Sequence, residues 1–320
     1  MIDGCGREID HMRLSLTDHC NLACRYCVPE SAAPSRQMID DAFAYELVRW
    51  LSGHHGIRHV RLTGGEPLLY PELLPLVRRL SALDELDEIT LTTNGQALEN
   101  KAASLREAGL TRVNVSLDTL NPDRFAHVTR GGHVEHTVKG IESAIEAGMT
   151  PVKLNMVVQR GLNDDETVAT AQWGLELGCV VRFLEVMPIG PLAHVVDDHL
   201  VSASEILERL STVFRLAPIP QTIGQPAVDY AATSGALRGV IGIIAPTTKS
   251  FCERCRRIRI TSRGAVVACV HDNRHFGLTE CWDGERFNEE RANEILRESV
   301  LHKPAVGSRS QSLTMIALGG

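Results

Sequence analysis

Six short runs in which apolar and polar residues alternate constrain this chain more than any other feature. They occupy residues 12–17, 59–63, 88–94, 112–118, 152–157 and 180–187. Segments with helical periodicity lie between them, at about 40–51, 73–80, 97–108, 133–147 and 164–177. Strands alternating with helices of this length predict βα units, a parallel sheet and right-handed crossovers. Met12, Leu14 and Leu16 alternate with Arg13, Ser15 and Thr17; Val60 and Leu62 alternate with Arg61 and Thr63. Val113, Val115 and Leu117 alternate with Asn114, Ser116 and Asp118, and Val152, Leu154 and Met156 with Lys153 and Asn155. The sixth run is less regular. Successive side chains point to opposite faces of a strand, so one face packs on helices and the other is polar. Parallel strands covered on both sides read as continuous apolar runs, and a filled barrel packs branched apolar residues inside. The pattern therefore predicts an α/β fold: a partial, open parallel βα barrel of about six units, with a wet lumen that holds a large ligand. The competing reading is a sheet with one solvated face, but that face carries few charges.

After about residue 190 the rhythm stops. A helix near 202–210 and Pro218, Pro220 and Pro226 lead to an apolar run at 239–244. Two short strands follow, 257–261 and 265–270, joined by Ser262-Arg263-Gly264. The expected division is a barrel over residues 1–190 and a smaller C-terminal module over 191–320. Both can bury a core at this length. Lys and Arg number 33 against 40 Asp and Glu, a net charge of −7, which argues against general nucleic-acid binding. No apolar run approaches the roughly 20 residues that span a bilayer, and the N-terminus lacks a basic-then-apolar leader. A cytoplasmic protein is expected.

Nine cysteines are unusual here. The number is odd and no secretory signal is seen, so a disulfide framework is not expected. Six of them form two triplets. Cys20, Cys24 and Cys27 follow the first strand with C-x3-C-x2-C spacing, at the end of a βα barrel where active sites form. Thiolates are soft ligands for iron–sulfur clusters or zinc. A [4Fe–4S] cluster wants four ligands, so three cysteines would leave one iron open. Cys252, Cys255 and Cys269 form the second triplet, with Arg254, Arg256, Arg257, Arg259 and Arg263 around it. Arg257 and Arg259 share one face of a strand, and paired guanidinium forks suit a polyphosphate. From its spacing alone, the second triplet reads better as a structural zinc site with His271 or Cys281 as fourth ligand.

The first triplet, with Tyr26 before its last cysteine and Gly64-Gly65-Glu66-Pro67 after the second strand, resembles the radical S-adenosylmethionine superfamily. There the open iron chelates the methionyl group, and the Gly-Gly-Glu-Pro backbone binds its amino group. The second triplet reads C-x2-C-x-R-x-R-I-T and is similar to the GTP 3′,8-cyclase family of molybdenum cofactor biosynthesis. That resemblance spans nearly the whole chain. It includes Gly6-Arg7-Glu8-Ile9, Thr92-Thr93-Asn94-Gly95, Asn114-Val115-Ser116-Leu117-Asp118, Lys153-Leu154-Asn155, Glu185-Val186-Met187-Pro188 and the final Gly319-Gly320.

The resemblance implies two [4Fe–4S] clusters, with Cys20, Cys24 and Cys27 on the catalytic one and Cys252, Cys255 and Cys269 on the other. It implies S-adenosylmethionine contacts from Tyr26, Gly64, Gly65, Glu66, Ser116 and Met187, and GTP contacts from Arg13, Arg61, Thr92, Lys153, Arg257 and Arg259. The implied product is (8S)-3′,8-cyclo-7,8-dihydro-GTP. A reducing partner such as flavodoxin or ferredoxin, and a cyclic pyranopterin monophosphate synthase that takes the product, are implied partners of a monomer or homodimer. The terminal Gly-Gly is expected to reach into the site. Arg256 stands where the family often has a small polar residue, so it either adds to phosphate binding or faces solvent. Val28 departs from a frequent methionine. The other classes to weigh are a radical peptide maturase and a non-enzymatic zinc-binding protein.

Overall fold

The computed structural model describes residues 1–31, 35–221, 224–307 and Met315. Six strands build the barrel wall: β1 His11–Ser15, β2 His59–Thr63, β3 Glu88–Thr93, β4 Arg112–Ser116, β5 Lys153–Val158 and β6 Val180–Glu185. Each pairs in parallel with the next. Outside lie α1 Asp41–His55, α2 Leu73–Leu80, α3 Ala102–Glu107, α4 Pro122–Thr129, α5 Val134–Glu146 and α6 Thr167–Glu176. Met12, Leu14, Val60, Leu62, Val113, Val115 and Leu154 are at most 1% exposed, so the alternation does put one strand face in the helix-covered core.

Local chemistry sets the helix ends. Asp40 caps α1 by accepting from the Phe43 amide at 2.8 Å, and Gly56 closes it with φ 71°. Residues 97–101 were expected in a helix but form turns: Leu98 N bonds Gly95 O and Lys101 N bonds Leu98 O. Lys101 Nζ reaches Leu68 O at 2.6 Å, which holds this stretch under the Gly-Gly-Glu-Pro loop. Asn121 caps α4 from Arg124 N at 3.0 Å with Pro122 in the first turn, a helix start that periodicity alone did not reveal.

The C-terminal half continues the same sheet. It contributes α7 Val196–His199, α8 Ala203–Ser211, β7 Arg215–Pro218, β8 Val228–Ser234, β9 Leu237–Ile244, β10 Arg257–Ile260, β11 Ala265–Val267, β12 Phe276–Gly277 and α9 Glu289–Leu301. β9 adds in parallel to β6, and β10 adds in parallel to β1. The order is β12-β11-β10-β1-β2-β3-β4-β5-β6-β9-β8-β7. The parallel arc is thereby extended past six strands and stays open. Both edges of the barrel are built from sequence that lies after residue 190. Glu185, at the end of β6 and 2% exposed, fastens this half on: its carboxylate accepts from the amides of Ala203 at 2.7 Å and Thr248 at 2.9 Å.

Candidate active site

Register turns the polar strand faces into rows across the lumen. Arg259, Arg13, Arg61, Thr90 and Arg112 are successive register partners from β10 to β4. Asn114 pairs with Lys153, and Asn155 with Arg182. Arg182 was not singled out from the sequence; in the strand, Val181 and Phe183 are fully buried on either side of it and put it on the polar face. Its nearest carboxylate contact is Asp229 at 3.8 Å.

These half-buried cations lie close together, with Arg182 buried among them, and they destabilise one another's charged forms. Burial, then Arg182, Arg112 and Arg257, pushes Arg61 down to about 9. Burial and Arg257 take Arg259 down to about 10, and burial with Arg259 and Arg61 lowers Arg13. Burial, then Arg182, Arg112 and Arg61, takes Lys153 down to about 7. Such a lumen is prepared for a polyanion. An anion held by Lys153 would raise its pKa, so the complex would hold the extra proton. Affinity for a nucleoside triphosphate should therefore be full below about pH 7 and fall by up to about tenfold per pH unit above it. Calorimetric titration at pH 7 and 8.5 checks this, and Lys153→Met should flatten the dependence.

At the C-terminal ends of the strands the two cysteine triplets open into one cavity. Cys20, Cys24, Cys27, Tyr26, Gly64, Gly65, Glu66, Ser116 and Met187 line it. So do Arg13, Arg61, Thr92, Arg257, Arg259, Cys252, Cys255 and Cys269. Lys153 alone of the expected site residues is not among the lining groups. It begins β5, at the strand end away from the cysteine loops. The terminal Gly319-Gly320 lies outside the described residues.

The loops that carry the first triplet are tightly tied. A Cβ on Gly65 would lie 2.4 Å from the His19 carbonyl oxygen, so only glycine lets this loop press on the cysteine loop. Glu66, 1% exposed, accepts from Thr93 Oγ1 at 2.7 Å and the amides of Asn94 and Leu68 at 2.8 and 3.0 Å. Its carboxylate orders the loop, and burial raises its pKa to about 6 against those bonds. The Tyr26 hydroxyl donates to Asp118 Oδ2 at 2.9 Å, while Asp118 Oδ1 accepts from Val157 N at 2.9 Å. Asp118 thereby joins the cysteine loop to β4 and β5. The sequence reading gave it no role beyond its place in the alternation.

The donor set fits iron–sulfur ligation. All nine cysteines are free thiols, and no disulfide competes. Cys20 Sγ accepts from Leu22 N at 3.4 Å and Asn94 Nδ2 at 3.8 Å. Cys255 Sγ accepts from Arg257 Nη2 at 3.7 Å, and Cys252 Sγ from Gly307 N at 3.4 Å. N–H donors aimed at sulfur suit thiolate ligands. Without metal, burial pushes the Cys20 thiol up to about 11 and Cys24 well above its ordinary value. Burial also acts on Cys255, but Arg257 and Lys303 outweigh it and bring the thiol down to about 7. Cys281 is packed in the core and does not line the cavity; His271 does.

Arg256 does neither of the things its position suggested. Its guanidinium grips the Asp10 carboxylate through Nε at 2.8 Å and through Nη2, and meets Glu8 at 2.8 Å. It pins the start of β10 to the start of β1. Asp10 in turn accepts from His11 Nδ1 at 2.5 Å, and His11 stacks on His59 with centroids 4.2 Å apart. Asp10, His11 and His59 are close enough to hold an ion, but the Asp10 charge is already neutralised by Arg256.

Residues 14–174 match the Radical SAM superfamily, and residues 179–308 match Molybdenum Cofactor Synthesis C. A protein of Moorella thermoacetica named GTP 3′,8-cyclase is 43% identical over 289 residues, covering 89% of this chain and 85% of that protein. The chain belongs to the GTP 3′,8-cyclase family. A GTP 3′,8-cyclase of Pelotomaculum thermopropionicum is 42% identical over 87% of this chain and 86% of its own length. Streptococcus suis SuiB bound to precursor peptide SuiA superposes with a TM-score of 0.63 over 94% of this chain and 72% of that one. At 13% identity that likeness shows the radical S-adenosylmethionine fold alone. Family membership makes the chain a radical S-adenosylmethionine enzyme and sets aside the zinc-scaffold reading.

Proposed function

We propose that this chain is a GTP 3′,8-cyclase acting at the first step of molybdenum cofactor biosynthesis, and that its residues divide the work by position. The observation that carries the reading is the single cavity into which both cysteine triplets open, with half-buried arginines in its wall. Cys20, Cys24 and Cys27 hold the first cluster, and Cys252, Cys255 and Cys269 the second. When bound and reduced, the first cluster with S-adenosylmethionine supplies a 5′-deoxyadenosyl radical. Tyr26, Gly64, Gly65, Glu66, Ser116 and Met187 form the walls against which S-adenosylmethionine lies. Arg13, Arg61, Thr92, Lys153, Arg257 and Arg259 hold GTP, with Arg182 added from the rows of the lumen. The arginine and lysine charges would hold the triphosphate in place while the C3′ hydrogen atom passes to the 5′-deoxyadenosyl radical, C3′ bonds to C8, and one electron from the reducing partner with one proton completes the dihydro product.

The barrel over 1–190 would supply the S-adenosylmethionine half of the cavity, and 191–320 the half around the second triplet. The electron enters from a flavodoxin- or ferredoxin-type donor, and the product passes to a cyclic pyranopterin monophosphate synthase. No described helix is long and apolar enough to cross a membrane, which agrees with a cytoplasmic site for these partners. Anaerobic incubation of the reconstituted protein with S-adenosylmethionine and a strong reductant tests the function. 5′-Deoxyadenosine should form strongly only with GTP present; formation indifferent to GTP would reject GTP as substrate.

A further inference from the structure

Lys303 is a buried cation that the proposed chemistry does not use. It follows α9, is 4% exposed and lines the cavity beside the second triplet. Its ammonium donates to Arg257 O at 2.7 Å and to Ala268 O. Arg257 lies two residues after Cys255, and Ala268 immediately precedes Cys269. One side chain therefore bridges the start of β10, just after Cys255, and the segment just after β11 that carries Cys269.

Arg7 offers a comparison from the same region. Its guanidinium holds Cys252 O at 2.8 Å and Pro304 O at 2.8 Å, and Asp3 neutralises it at 2.6 Å. Among the described residues, no carboxylate pairs with Lys303. The anionic groups that act on it are Cys255 and Cys269, while Arg7 and Arg257 repel it. Burying an ammonium is costly unless an opposite charge is close. In this site the thiolates are what can supply that charge.

We propose that Lys303 is a positioning residue for the second iron–sulfur site: it braces the Cys255 and Cys269 segments and supplies the cation that balances their thiolates. The proposal rests on the reading of Cys252, Cys255 and Cys269 as cluster ligands. A cation beside a cluster favours its more reduced, more negative state, so Lys303 raises the potential of that site.

The test is a redox titration of the full-length, reconstituted protein followed by electron paramagnetic resonance. The first-site signal is recognised by its change on adding S-adenosylmethionine, and the remaining signal belongs to the second site. In Lys303→Met the second-site potential should become more negative while the first stays put, and Lys303→Arg should stay near the parent. An unshifted second-site potential in Lys303→Met, with iron content intact, would overturn the proposal. If Lys303→Met loses the second-site iron, Lys303→Arg decides. Iron retained at the parent potential supports the charge role, and iron lost there too overturns it. Parent protein with iron at the first triplet alone would instead overturn the two-cluster reading and this proposal with it.

Discussion

Cys24→Ala should abolish 5′-deoxyadenosine formation while leaving GTP binding and the second-site iron in place. Cys24 lies in the cavity beside Cys20 and Cys27, and its thiol is half-buried. Three thiolates are the fewest that can hold a four-iron cluster and leave one iron for a ligand, so losing one removes the reacting centre. Replacing sulfur by hydrogen leaves a void smaller than most core truncations, costing about 1 kcal/mol, so the chain should stay folded. Iron content should drop by about half, from about eight to about four per chain. Cleavage at the parent rate would show that this triplet does not carry the chemistry.

Arg257→Ala should separate the two ligands. Its Nη2 lies 3.7 Å from Cys255 Sγ, and its guanidinium sits 5.0 Å from the Phe251 ring centroid. The side chain is therefore held at the junction of the second triplet and the lumen cations. Losing one charge-assisted contact to GTP should weaken its binding by about 1.5–3 kcal/mol, roughly 10- to 150-fold in Kd. S-adenosylmethionine affinity should change by less than about twofold, because its expected contacts come from the cysteine loop after β1, the loop after β2, the end of β4 and the segment after β6, rather than from β10. Equilibrium binding of each ligand alone reads this out. Equal loss of both affinities would mean that Arg257 props up the whole cavity.

The barrel is legible in the sequence because its strands alternate: Arg13 between Met12 and Leu14, and Arg61 between Val60 and Leu62, declare a polar lumen outright. The first triplet is legible because its spacing is local. What stays hidden depends on pairing between distant segments. Nothing in residues 237–244 or 257–260 announces that these strands close onto β6 and β1, because a parallel edge leaves no mark in a single strand. Arg256 illustrates the same limit. Beside the second triplet it reads as an extra cation that alters phosphate binding or faces solvent, and only the β10–β1 pairing brings it to Asp10. Lys303 is hidden for a similar reason, since its partners are carbonyls 46 and 35 residues away. Asp118 is the opposite case: the alternation places it on the polar face, but its bond to Tyr26 spans 92 residues and needs the folded barrel.

The most direct measurement of the central claim, that a radical made at the first triplet meets GTP held against the second, is label transfer. GTP carrying deuterium at C3′ would be turned over anaerobically with S-adenosylmethionine and reductant, and both products analysed by mass spectrometry. Deuterium should appear in 5′-deoxyadenosine, alongside a cyclised product derived from GTP. Unlabelled 5′-deoxyadenosine, with GTP recovered intact, would contradict it.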